Sequence, residues 1–171
     1  MTRMIKFKIR NIIFAVLAVL WMAIIFYCSA KPAVESAQMS GAVDRILCEI
    51  FISGYDDLTP AEKEEAALRL DHFVRKCAHA TEYMILGFLI TGAVYTNKSH
   101  IKLQILVCFF GVMLYAISDE IHQLFVEGRA GRVTDVLIDS GGGMVGCILF
   151  ALFYGITLKK INAKKTKNNI I

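Results

Sequence analysis

Seven ionisable side chains, His79, Glu82, Asp119, Glu120, His122, Asp135 and Asp139, stand at the edges of long apolar runs. Arg75, His79 and Glu82 are spaced i, i+4, i+7, so a helix carries all three on one face. Asp119 with His122 and Glu120 with Gln123 are i, i+3 pairs on adjacent faces, and Asp135 with Asp139 is an i, i+4 carboxylate pair. A histidine beside carboxylates can take a proton as general base, which makes His79 and His122 the candidates for that role. Glu82, Asp119 or Glu120 would then serve as the acid or orient the imidazole, and Arg129 would stabilise developing anionic charge. In a site that only binds, Arg75, Lys76, Arg129 and Arg132 could hold phosphate or carboxylate groups. Tyr83, Gln123, Asp135 and Asp139 complete that binding set. His-x-x-Glu at 79 and 82, Asp-x-x-His at 119 and 122, and the Asp135/Asp139 pair could also ligate one or two divalent metals. Acids and histidines meet at membrane interfaces by chance, so that signal is weak and no cofactor is assigned. No Ser-centred nucleophile elbow, phosphate loop or dinucleotide fingerprint is present.

The elements that must position these residues are apolar helices. The chain has 171 residues, 56% of them hydrophobic and only 20% charged, with a mean hydropathy of +0.55. A bilayer accommodates that apolar fraction directly. Four runs predict spans over about 11–28, 77–96, 103–119 and 136–158, since ~20 helical residues cross a hydrocarbon core of ~30 Å. The expected fold is therefore all-α, one transmembrane domain over 1–171 built as a four-helix bundle. The first run follows basic residues and precedes Cys28-Ser29-Ala30, as a signal peptide would. Its apolar region exceeds the usual ~7–15 residues and the cleavage signal is weak, so it is expected to be retained. The five cysteines show no CxxC spacing and most lie in or beside apolar runs. They read as small apolar helix residues, with Cys48–Cys77 the one disulfide left open.

Charge placement orients the bundle. Eleven of the 19 Lys and Arg residues lie in the N-terminal segment, the connection between the second and third spans, and the tail from Lys159; no acidic residue accompanies them. All 15 Asp and Glu fall on the other side. Both termini are thus expected in the cytoplasm, with the polar cluster extracytoplasmic. The basic tail reads as a lipid-headgroup anchor, not a nucleic-acid arm. Ionisable groups one to two turns inside an apolar run are costly and normally face protein or water. Any one of them could be a snorkelling or capping group. Three spans delivering seven to one depth mark a candidate site.

Residues 30–74 form the long loop between the first two spans. Met39, Val43, Ile46, Leu47 and Ile50 fall at helical spacing opposite Asp44, Arg45 and Glu49, which predicts an amphipathic helix on the membrane or the bundle. Residues 53–57 break it. Thr59, Pro60 and Glu62 have the spacing of a capping box with proline at the first helical position, predicting a helix that runs nearly continuously into the second span. Gly142 and Gly146 make a GxxxG face which, with Gly143, predicts close helix contact.

The strings RKCAHATEY, YAISDEIHQLFVEGRAGRVTDVLID and GGGMVG resemble the signature of the VanZ-like membrane protein family. The stretch from Trp21 through Phe26 and Tyr27 to Ser29, and that from Ser36 to Ser40, also fit. The resemblance covers essentially the whole chain. One departure is Asp139, where many relatives would be expected to carry Asn; an acid there adds negative charge. The resemblance implies a bacterial cytoplasmic-membrane protein associated with resistance to teicoplanin, a lipid-bearing glycopeptide. Two functions then compete. One is a non-enzymatic factor that binds a membrane lipid or a lipid-linked or amphiphilic envelope component at the outer leaflet. The other is an intramembrane hydrolase or transferase acting on such a substrate through the His/Glu/Asp cluster. Transport is disfavoured, because no charge continues the cluster through the inner halves of the spans. No oligomeric state is implied.

Overall fold

The structure, a computed structural model, describes the backbone of residues 2–52, 54–96 and 100–168 and the side chains of 8–36, 41, 46–50, 52, 54–96 and 100–155. Among the described residues five α-helices follow in order: α1 (Thr2–Ser29), α2 (Ala33–Phe51), α3 (Pro60–Val94), α4 (Ile101–Gln123) and α5 (Val133–Asn168). A single 3-10 turn, Tyr55–Asp57, joins α2 to α3. Four helices, all but α2, are long and apolar enough to cross a membrane, as expected.

α3 is the central element and touches α1, α2, α4 and α5, most extensively α5. Ile25 from α1, Tyr83 and Leu86 from α3, and Val112 and Ala116 from α4 form the buried core. The helices turn much of their apolar surface outward. On α4, Leu103, Val107, Phe110, Leu114, Ile117 and Ile121 form an exposed stripe at three- and four-residue spacing. In water such a stripe would be an aggregation surface; in a bilayer it is the lipid contact.

α5 reaches α3 through its glycines. A Cβ on Gly142 would meet the backbone carbonyl of Ala80, and one on Gly146 that of Met84. The GxxxG face therefore packs against α3 as predicted, with Gly143 turned to Val112 of α4. Contact this close puts the polar ends of α3 and α5 side by side.

α3 begins as predicted. The Thr59 hydroxyl accepts from the Glu62 N–H at 3.4 Å, and the Glu62 carboxylate accepts from the Thr59 N–H at 2.8 Å. Thr59→Ala should lower helix and protein stability by about 1 kcal/mol, read as a reduced Tm in detergent. At the opposite end of α3, the Arg10 and Asn11 side chains donate to the Tyr95 carbonyl at 3.0 and 3.2 Å.

The boundaries refine the expected spans. α3 is unbroken from Pro60, α4 extends through Gln123, and α5 starts at Val133 and continues past Leu158 to Asn168. Within the 30–74 loop α2 is helical, and three residues of its predicted stripe, Ile46, Leu47 and Ile50, are among the described side chains. Cys48 is buried and Leu47 half-buried, while Ile46 and Ile50 are exposed. Met39, Ser40, Val43, Asp44, Arg45 and Ser53 lie outside the described side chains, as do Arg3, Lys6, Lys98 and the tail lysines. Gly54, at the break after α2, takes a positive φ of 76°. All five cysteines are free, Cys48 buried and Cys77 exposed.

Candidate functional site

Three helices and two connections converge at one end of the bundle. α3 contributes Arg75, Lys76, His79 and Glu82; α4 contributes Asp119, Glu120 and Gln123; α5 contributes Asp135 and Asp139. The α1–α2 connection adds Lys31, and the α4–α5 connection adds Arg129 and Arg132.

All of them except Asp119 line one or both of two cavities. One, of about 200 Å³, is lined by His72, Arg75, Lys76, His79, Glu120, Gln123, Arg129, Arg132, Asp135 and Asp139. The other, of about 210 Å³, is lined by Cys28, Lys31, Ser36, Arg75, His79, Glu82 and Arg129 among others. Arg75, His79 and Arg129 belong to both. The i, i+4, i+7 face of α3 is thus the wall of the second cavity, as its spacing requires.

Most cations in this region are already engaged. Arg75 pairs with the buried Asp71, Lys76 with Asp135 at 3.2 Å, and Lys31 with Glu35 at 3.0 Å. The Lys31–Glu35 contact raises the pKa of Lys31. Arg129 donates from Nε to the Lys31 carbonyl at 3.1 Å and from Nη2 to the Cys28 carbonyl at 3.5 Å. Those carbonyls lie at the C-terminal end of α1, where the helix dipole favours a cation. Burial, and then the neighbouring Arg75, lower the Arg129 pKa; an arginine stays charged even so. The Ala33 N–H also donates to the Glu127 carbonyl at 3.2 Å, so three backbone-directed hydrogen bonds hold the α4–α5 connection to the segment from the end of α1 to the start of α2.

The acids divide into satisfied and unsatisfied. Glu120 accepts from the Arg132 N–H at 2.7 Å. Asp119 Oδ2 accepts from the Ser29 hydroxyl at 2.7 Å and from the Gln123 amide at 3.2 Å, inside the protein. Asp119 Oδ1, Asp139 Oδ1, Glu82 Oε2 and His79 Nδ1 are buried with no hydrogen-bond partner among the described residues. His79 Nδ1 and Glu82 Oε2 stand 3.6 Å apart, beyond hydrogen-bond contact. Trp21 of α1 fixes this turn of α3 by donating from its indole to the Glu82 carbonyl at 2.8 Å. The Tyr83 side chain is fully buried, and its hydroxyl lacks a partner.

Three predicted pairings come out differently, the first being Glu120 with Gln123, since Glu120 is held by the Arg132 N–H and Gln123 donates to Asp119. Asp119 bonds Gln123, four residues on, and His122 turns away to stack on Phe26 with ring centroids 4.4 Å apart. His122 lines neither cavity. The Asp135/Asp139 pair is also divided, since Lys76 engages Asp135 alone. Among the described residues, no three His, Cys, Asp or Glu side chains form a metal-ligating group.

Sequence reasoning missed Ser29, His72 and Lys31. Ser29 and Lys31 follow the last apolar turn of α1, and only the folded bundle brings that turn against α4 and Arg129. His72 had a legible signal, lying one turn before Lys76 and two before His79 on the same helix.

The sequence of this constellation is that of a known family: the VanZ/LLP1 family matches the chain over residues 14–154. The match takes in the second and third candidate spans, most of the first and fourth, and every lining residue named above. No curated protein and no solved structure matches the chain. This four-span helical membrane protein belongs to the VanZ/LLP1 family.

Proposed function

We propose that the protein is a membrane-embedded binding factor that takes the headgroup of a lipid-linked or amphiphilic envelope component at its extracytoplasmic end. In doing so it reduces the action of a glycopeptide such as teicoplanin. The observation that carries this reading is the pair of cavities sharing Arg75, His79 and Arg129. Arginines on a common wall suit the oxygens of a phosphate or carboxylate, and a partly buried site strengthens such contacts. The lipid-facing helices around it give the ligand's apolar part a route to the same place. The extracytoplasmic assignment rests on the segregation of acids from the eleven basic residues at the other end. Deleting the gene should raise teicoplanin susceptibility more than vancomycin susceptibility. Wild-type protein should restore it, and His79→Ala protein present at equal membrane abundance should not. No change in either susceptibility on deletion overturns the reading.

A second reading, an intramembrane hydrolase or transferase, is favoured by one feature. The unpartnered His79 Nδ1 and Glu82 Oε2 belong to residues in one cavity wall, placed as a base and its neighbouring carboxylate would be. Purified protein incubated with the cell's own lipid extract should then release a product that His79→Ala protein does not. Identical extracts before and after incubation remove the enzyme.

A further inference from the structure

The two cavities meet at one wall, and what each side still lacks differs. Arg129 uses two of its five N–H donors on backbone carbonyls and lines both cavities. Asp139 lines the first cavity as well; it is 2% exposed and has no ion pair among the described residues, and its Oδ1 is buried without a hydrogen-bond partner among them. The other two carboxylates of that cavity are provided for: Asp135 holds Lys76, and Glu120 holds the Arg132 N–H. A buried carboxylate oxygen without a donor is expensive, and a ligand that brings a donor removes that cost. A simple anion would bring none, and would set a second negative charge beside Asp139.

We propose that the headgroup bound here is zwitterionic, a phosphate against Arg75 and Arg129 carrying a primary ammonium that donates to Asp139. This rests on the reading of the site as a headgroup-binding one and names the headgroup's class. A cavity of about 200 Å³ exceeds several times the roughly 30 Å³ share of one water in the liquid, so a small ammonium-bearing arm fits. The ammonium must be able to donate: a quaternary ammonium has the charge and no N–H.

The full-length protein in detergent is titrated, by native mass spectrometry, with short-chain phosphatidylethanolamine, phosphatidylcholine and phosphatidylglycerol, and with free phosphoethanolamine. Phosphatidylethanolamine should bind at least about tenfold tighter than the other two lipids, the contribution of one charge-assisted hydrogen bond. Asp139→Asn should erase most of that preference and Asp139→Glu should keep part of it. Competition by free phosphoethanolamine assigns recognition to the headgroup alone, whereas binding of the lipid only makes the membrane its source. Equal affinity for the three lipids in the wild type overturns the zwitterion and leaves the binding factor standing. So does a preference that survives in folded Asp139→Asn protein. No binding of any phospholipid likewise overturns the zwitterion, and the binding factor is then decided by the deletion phenotype. Where Asp139→Asn does not accumulate, the wild-type comparison of the primary and quaternary amines decides alone.

Discussion

Gly146→Ala should leave little folded protein in the membrane. The added methyl would fall on the backbone carbonyl of Met84, with the Phe88 N–H nitrogen at 2.8 Å. Backbone cannot rotate aside as the tip of a side chain can, so α5 must move away from α3. That movement opens the contact on which most of the bundle depends, at a cost of about 3 kcal/mol or more. Gly142→Ala should behave alike, because its methyl would meet the Ala80 carbonyl. The adjacent Gly141 provides the control, since a Cβ there has nothing within 4 Å. Gly141→Ala should fold as the wild type does. Thermal denaturation of the three variants followed by size-exclusion chromatography makes the comparison; equal Tm values for Gly141→Ala and Gly146→Ala would refute the packing assignment.

Arg129→Ala should reduce both stability and ligand binding, the second more steeply. The guanidinium ties the α4–α5 connection to the Cys28 and Lys31 carbonyls at the end of α1, and it lines both cavities. Losing two charge-assisted hydrogen bonds of this kind should lower stability by about 2 kcal/mol. Binding of a phosphate-bearing headgroup should weaken at least about tenfold through the lost fork of donors. Arg129→Lys keeps the charge but cannot hold two separate carbonyls and a ligand from one ammonium, so it should restore less than half of either loss. Full restoration by lysine would reduce Arg129 to a point charge. Tm in detergent and lipid titration by native mass spectrometry give the two readouts separately.

The number of spans and the presence of a polar cluster were legible in the residue order. A helix needs only its own residues to satisfy its backbone in a bilayer, so apolar length alone reports a span. Spacing along one helix was equally readable. Arg75, His79 and Glu82 share a cavity because residues at i, i+4 and i+7 must share a face. The capping box at Thr59 is a local device and formed as its three-residue spacing requires. The GxxxG face of α5 could be read from the residue order as well, but its partner, Ala80 and Met84 on α3, could not.

Pairings between helices depend on azimuth, which periodicity leaves free. That is why His122, predicted beside Asp119, lies on Phe26, and why Asp119 is held by Ser29 from a helix some 90 residues away in sequence. It is also why Lys76 takes Asp135 and leaves Asp139 without a counter-ion among the described residues. Residue order by itself determined four membrane-spanning helices, their glycine contact face and the store of His, Glu, Asp and Arg at one end. The tertiary structure decided which of those charges neutralise one another and which buried atoms are left wanting a donor. The reason is physical: spans follow from local backbone satisfaction, whereas charge pairing follows from how neighbouring helices are rotated and how closely glycine lets them approach.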